Sequence, residues 1–347
     1  MQAVILVGGE GTRLRPLTSN MPKPIVPLVD RPFMAFMLEW LKRHGVDDAI
    51  MSCGFLATRV REVLGDGSDY GMTLRFVEEP EPRGTAGALK YAEEFLQDRF
   101  LMLNGDVLSD MDLTAQIAQH EATGAKGTLA LVPVPDPSAY GLVRLHEDNA
   151  VKEFVEKPSA DQIDTNLISA GAYVLERSIL DMIPAGQNVS IEREIWPALV
   201  GNGLYAYPHE AYWLDIGTPG MYLKATRDIL EKTVETAVTD AAAAARGEGS
   251  SVADDATVDA VSVLREDVKV GAGSVVEGSV LLAGAEVGAN AEVRDSIVGA
   301  GTKIGDRTRV SGGAVLGEDV TIGSDNVLTN GIKVFAGTTL GDGAVKF

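Results

Sequence analysis

The chain is short of the groups that would place it in several common protein classes. It has one cysteine, Cys53, among 347 residues. A single thiol excludes an intramolecular disulfide framework and a cysteine-rich zinc site. Cys53 lies in a predicted strand and reads as a buried structural thiol. Only four histidines occur, His44, His120, His146 and His209, and they read as surface or turn residues. Cations are outnumbered: 30 Lys and Arg against 50 Asp and Glu give a net charge of −20. That balance argues against nucleic acid or an anionic membrane as partner, because both need basic surface. Small anionic substrates see only local charge and stay open. The apolar run Ala3–Val7 is too short for a signal peptide. No stretch approaches the roughly 18 apolar residues of a membrane span. The expectation is a soluble, cytoplasmic protein.

What is present is ordinary globular composition with 45% hydrophobic residues, in a chain longer than one core usually serves. Ala3-Val-Ile-Leu-Val7, Ala49-Ile50-Met51, Leu74-Arg-Phe-Val77 and Phe100-Leu-Met-Leu103 read as buried strands. Between them, Phe33 to Leu41 and Gly87 to Phe95 carry helical spacing. Alternating strands and helices predict a doubly wound α/β sheet, with ligands beyond the carboxyl ends of the strands. Met221 to Glu235 reads as a further helix, and Ala241 to Ser251 as a linker of small residues. Beyond it runs a six-residue aliphatic repeat: Val252, Val258, Leu264, Val270, Val276 and Leu282, then, after five-residue steps into Val287 and Val298, on to Leu340. Such a period fits a β-solenoid with three faces per coil and inward-pointing aliphatics. The hexapeptide pattern resembles the left-handed β-helix family. The expected organisation is an α/β domain over 1–232, a linker over 233–250 and a β-helix over 251–347.

The first strand ends in Gly8-Gly-Glu-Gly-Thr-Arg-Leu-Arg-Pro-Leu-Thr18, followed by Pro22-Lys23-Pro24. A glycine-rich turn after a strand lets backbone N–H groups approach phosphate closely. It has no Gly-Lys-Ser/Thr ending, and Leu14 stands where the dinucleotide fingerprint needs glycine. Arg13 and Lys23 add fixed positive charge there. Asp106 closes the fourth strand, where a carboxylate would face the crevice, though an Asn-Gly-Asp turn reads the same way. Asp215 follows Trp213-Leu214 and is either a site carboxylate or a helix N-cap. Asp110 and Asp112 read as surface or cap residues.

Taken together, these segments resemble the sugar-phosphate nucleotidylyltransferases. The resemblance is carried also by Gly84-Thr-Ala-Gly87, Asn104-Gly-Asp106, Tyr140-Gly141, Phe154-Val-Glu-Lys-Pro158, Asn166 to Gly171 and Trp213-Leu-Asp-Ile-Gly-Thr-Pro219. Within that family, Leu6-Val-Gly-Gly9, Ser190-Ile-Glu-Arg-Glu194 and the β-helix are most similar to mannose-1-phosphate guanylyltransferases. The resemblance implies a Rossmann-like mixed sheet and transfer of a nucleotidyl group from a triphosphate, GTP being favoured, to a sugar 1-phosphate such as mannose 1-phosphate. It implies Gly8, Gly9, Gly11, Thr12, Arg13, Lys23, Glu79, Gly84, Thr85 and Asp106 at the nucleotide. Gly141, Glu156, Lys157, Asn166 and Gly171 would meet the sugar phosphate, and Asp106 and Asp215 would hold Mg²⁺. Arg13, Lys23, Asp106 and Asp215 would carry catalysis. Ser169-Ala-Gly171 departs from the more usual Asn-Ala-Gly. Thymidylyl members carry Gln where this chain has Glu79, and a carboxylate accepts from two donors on guanine but only one on thymine. Glu78 and Glu81 are open alternatives for that role.

Glucose-1-phosphate thymidylyl- or uridylyltransfer is the alternative within the family. A non-catalytic sugar-nucleotide-binding subunit is the alternative outside it. Acyl transfer by the β-helix would require a histidine base, and none of the four lies in the repeat. The β-helix is expected to assemble a homo-oligomer. Truncation near Gly247 is expected to leave every proposed catalytic residue in place, with some activity.

Overall fold

The computed structural model describes residues 1–54 and 56–346; position 347, the last of the expected β-helix range, lies outside them. Four parallel strands carry the continuous apolar runs: β1 (Gln2–Val7), β2 (Asp48–Cys53), β3 (Thr73–Glu78) and β4 (Arg99–Asn104). They lie in the order β3-β2-β1-β4. Order reverses at β1, so the crevice expected of such a sheet opens beyond β1 and β4. Five more strands complete a nine-stranded mixed sheet: β5 (Gly127–Pro133), β6 (Gly141–Leu145), β7 (Val151–Glu156), β8 (Leu167–Glu176) and β9 (Leu204–Pro208). β8 runs antiparallel to both β4 and β5. Trp196, Tyr173 and Phe100 are fully buried against this sheet's aliphatic core.

The helices include α1 (Phe33–Arg43), α2 (Ala57–Leu64), α3 (Gly84–Tyr91), α4 (Leu113–Thr123), α5 (Trp196–Leu199), α6 (Pro219–Leu230) and α7 (Ala241–Ala244). Asp112 caps α4 by accepting from the Ala115 N–H. Thr218, not Asp215, caps α6. Cys53 is buried at the end of β2, as expected. No helix among the described residues is long and apolar enough to cross a membrane.

Residues 251–340 wind into three parallel sheets of short strands, the arrangement of a left-handed β-helix. Val252, Val270, Val287, Ile304, Ile322 and Leu340 stack on one face, one coil every 17 or 18 residues. The inner aliphatics form one continuous apolar core. One repeat position is corrected. Leu281, not Leu282, stacks between Leu264 and Val298. The corner Glu277-Gly278-Ser279 is one residue tighter than the others of its coil. Gly278 takes φ +56, and the Ser279 hydroxyl donates to the Glu277 carbonyl at 2.8 Å. The same device recurs one coil on, at Ser296 and Arg294.

The chain forms two compact units: Met1–Gly9 with Met37–Trp213, and Glu10–Phe36 with Leu214–Phe347. Segment 10–36 therefore belongs with the β-helix, although it follows β1 directly. Within the span expected to be linker, Asp240 caps α7, and Gly247 N–H donates to the Leu264 carbonyl at 2.6 Å.

Two histidines are misread from sequence. His120 and His209 are buried, at 1% and 4% exposure. His120 bonds the Thr128 hydroxyl at 2.8 Å and Glu176 at 3.2 Å. It shares the inner face of α4 with Leu113 and Gln116, so a helix buried partly through polar residues hid its burial from hydrophobic spacing. Burial pushes the His209 imidazole down from 6.5 to about 4. The unfolded chain takes up that proton near 6.5 and the folded one resists until about 4, so acid favours unfolding across this window. Urea titrations between those limits should show stability falling with pH, and the fall should shrink in His209→Gln. An unchanged slope would show that His209 protonates alike in both states.

Candidate active site

In the sheet-centred unit, β1 runs out into Gly8 and Gly9, and β4 into Gly105 and Asp106. Gly105 N–H donates to the Leu6 carbonyl at 2.9 Å, which sets the turn carrying half-buried Asp106 beside the end of β1. A side-chain carbon on Gly8 would lie 3.7 Å from Glu79 Oε1. Ser52 Oγ donates to that same oxygen at 2.9 Å. Glu78 and Glu81 are exposed, whereas Glu79 is half-buried. Burial holds the Glu79 carboxyl above its ordinary range, against the Ser52 hydrogen bond and the Arg83 charge.

Gly84 opens α3 at φ +69, and a side-chain carbon there would stand 2.5 Å from the Val189 carbonyl oxygen. Only glycine fits both the conformation and the approach. Thr85 Oγ1 donates to Glu192 Oε2 at 2.7 Å and accepts from the Ile191 N–H at 2.9 Å. Ser190 Oγ donates to the same Glu192 oxygen at 2.7 Å. Glu192 sits in a π-helical turn, Ile191–Ile195.

Glu156 pairs in register with Gly141. Its carboxyl is held above the usual range by burial first and then by the charge of Glu192, while Lys157 and Arg193 oppose the shift. Lys157 takes φ +51, a left-handed conformation uncommon for a side chain of this size, and its N–H donates to the Tyr140 carbonyl at 3.0 Å. Tyr140 meets Trp213 edge-on at 5.2 Å, and the Trp213 indole donates to the Ala170 carbonyl at 2.9 Å. Gly171 interrupts the β8–β5 register in the left-handed region, against the Asn104 side chain. Gly141, Glu156, Lys157 and Gly171 are thus tied to the same strands and aromatics. Asn166 is exposed just ahead of β8, and its carbonyl accepts from Val134.

In the β-helix unit, Gly11 at φ +62 leads into a turn over Thr12–Leu14. Thr18 Oγ1 donates to the Gly11 carbonyl at 2.7 Å. The Asp215 carboxylate lies between two cations, 3.7 Å from Arg13 Nη2 through one oxygen and 3.8 Å from Lys23 Nζ through the other. Both separations exceed hydrogen-bond length. Lys23 is nearly buried and Arg13 open to solvent.

Residues 2–232 match the family model described as Nucleotidyl transferase. The chain belongs to the nucleotidyl transferase family. Residues 244–343 match the model described as GMPPB C-terminal domain. The chain is similar to the mannose-1-phosphate guanylyltransferase of Mycobacterium tuberculosis, at 36% identity over 81% of this chain and 79% of that relative. It is similar to the UTP–glucose-1-phosphate uridylyltransferase of Synechocystis sp. at 34% identity, over 68% of this chain and 65% of that relative. Among solved structures, HddC from Yersinia pseudotuberculosis complexed with GMP-PN matches with a TM-score of 0.56 at 31% identity, covering 65% of this chain and 97% of that one.

For a nucleotidyl transferase the donor set is informative. Among the described residues, no group of three or more His, Cys, Asp and Glu side chains is gathered into a metal cage. Asp106 in the sheet-centred unit and Asp215 in the β-helix unit each offer a single hard-oxygen donor. That fits a cation drawing most of its ligands from phosphate and water, as Mg²⁺ does, and does not fit a self-sufficient protein site. Sequence reasoning passed over Glu192. Its one signal is the Ser190–Glu194 segment, in which nothing local shows that this carboxylate reaches Thr85 or adds its charge near Glu156.

The Glu79 environment is testable. The Ser52 hydroxyl donates to the ionised carboxylate and favours it, so Ser52→Ala should move the Glu79 carboxyl further upward. An NMR titration of that carboxyl carbon reads it directly. An unchanged or lower value would mean that Ser52 donates elsewhere in solution.

Proposed function

We propose that this nucleotidyl transferase moves a guanylyl group from GTP to mannose 1-phosphate, giving GDP-mannose and pyrophosphate. The observation that carries the reading is the half-buried Glu79 carboxylate beside Gly8. Two parallel acceptor oxygens suit the N1–H and N2–H₂ donors of guanine. The guanylyltransferase relative and the GMP-PN complex of HddC support the base. The uridylyltransferase relative supports the alternative triphosphate, and uracil offers this carboxylate one donor only.

The chemistry needs no side-chain nucleophile. An oxygen of the sugar phosphate attacks the α-phosphorus, a new P–O bond forms, and the bond to the β-phosphate bridge breaks, its electron pair leaving with pyrophosphate. Arg13 and Lys23 are assigned to the triphosphate, where negative charge shifts toward the leaving group. Glu156 is assigned to sugar hydroxyls and Lys157 to the sugar phosphate. Gly141, Gly171 and Asn166 are assigned to the sugar pocket. Asp106 and Asp215 are assigned to Mg²⁺, which when bound neutralises phosphate charge. Homo-oligomerisation through the β-helix completes the proposal, with exposed Phe335 as its supporting feature. Light scattering of Phe335→Glu checks it.

Pyrophosphate release, screened over four triphosphates and several sugar 1-phosphates, tests the substrates, with GTP and mannose 1-phosphate expected to lead. Asp106→Asn and Asp215→Asn should each lower turnover by about 10²-fold or more in a folded protein; near-normal turnover in either removes it from the metal site. Glu79→Gln should cost GTP about 5- to 150-fold more than dTTP, a bidentate contact being worth about 1–3 kcal/mol. Equal losses with both nucleotides would mean that Glu79 does not select the base.

A further inference from the structure

The third face of the β-helix is unlike the first. Its inner residues are Leu264, Leu281, Val298, Leu316 and Val334. Alternation therefore turns Val263, Val280, Ile297, Val315 and Lys333 outward. The four outward aliphatics are buried, at 0–1% exposure. On the first face the outward Lys269, Lys303, Thr321 and Thr339 are exposed. The third face is covered, and the two ends of the covered strip are polar. Both ends reach into segment 10–36. Arg265, one residue past the first strand of this face, donates Nη1 to the Val29 carbonyl at 2.7 Å. Lys333, on its last strand, donates Nζ to the Arg13 carbonyl at 3.1 Å.

The grip at Val29 falls on a strained residue. Val29 has φ +55, which a β-branched side chain rarely adopts and which persists only where the surroundings enforce it. The Tyr222 hydroxyl on α6 donates to the carbonyl of Pro27, two residues earlier. The segment is thus tied through its backbone at Arg13, Pro27 and Val29, in each case by a residue from beyond position 213. Backbone anchoring at Arg13 fixes where its side chain starts, and the guanidinium then lies 3.7 Å from Asp215. Gly217 makes room for it: a side-chain carbon there would stand 2.5 Å from Arg13 Nη2.

We infer that the β-helix sets the phosphate-facing loop, with Lys333 as a positioning residue that acts through Arg13. The kinetic readout of this inference rests on the proposed reaction. Its consequence reverses the sequence-based expectation for truncation: cutting at Gly247 removes both Arg265 and Lys333 and leaves the loop without two of its three ties.

The test uses the full chain with Lys333→Met, Lys333→Arg and, as a control on the exposed first face, Lys303→Met. Lys333→Met should lower kcat about 3- to 10-fold with KM for the sugar phosphate within about twofold, the effect of a charged but exposed hydrogen bond on orientation. Lys333→Arg should restore most of that loss, and Lys303→Met should leave kcat unchanged. In an Arg13→Ala background, Lys333→Met should add nothing, because the two act as one unit. Hydrogen exchange gives a second readout. The Leu14 and Arg15 amides, bonded to the Gly11 and Thr12 carbonyls, should exchange faster in Lys333→Met, while β1 stays protected. In an active enzyme, an unchanged kcat, or an equal loss with and without Arg13, overturns the inference. A wild type inactive with every triphosphate fails the proposed reaction instead, and unchanged exchange at Leu14 and Arg15 then overturns the role of Lys333.

Discussion

Everything at this site depends on placing positive charge for phosphate in a chain that carries an excess of twenty negative charges. The overall field repels a polyanion, so only short-range, fixed cations can oppose it. In the proposed function the local answer is Arg13 and Lys23, which flank Asp215. The carboxylate stands 3.7 Å from Arg13 and 3.8 Å from Lys23, and so holds two cations about one negative charge. Lys23 is preorganised by burial and Arg13 by its backbone.

Carboxylates in the sheet-centred unit solve a different problem. Glu79 and Glu156 are both held above their ordinary range, and burial is the leading cause for each. A desolvated carboxylate is a stronger acceptor for a ligand donor than an exposed one, at a cost in ionisation. Glu79 is balanced by Ser52 and Arg83, and Glu156 by Lys157 and Arg193. Glu192 adds a second negative charge beside Glu156, yet its own oxygen is occupied by Thr85 and Ser190. One carboxylate is therefore bonded to the Thr85 turn and repels the Glu156 charge, although 71 residues separate Thr85 from Glu156 in the chain.

Much of this protein was legible one residue after another. The four parallel strands were, because a strand buried on both faces is a continuous apolar run whatever surrounds it. So was the β-helix, because each coil repeats the same inward position, and so were the glycine-rich turn and the carboxylates that follow strands. What remained hidden depends on neighbours distant in sequence. Leu281 takes the core position from Leu282 because one corner is a residue tighter, and both are leucine. His120 and His209 are buried by elements that sequence cannot bring to them. Three carboxylates stand within four residues, at 78, 79 and 81, and only folding decides that Glu79 is the one desolvated beside Gly8. Segment 10–36 follows β1 in the chain yet belongs with the β-helix, because hydrogen bonds from Tyr222, Arg265 and Lys333 hold its backbone. Periodicity records which way a residue faces along its own strand or helix. Desolvation and long-range anchoring are properties of what is packed against it, and those only the tertiary structure decided.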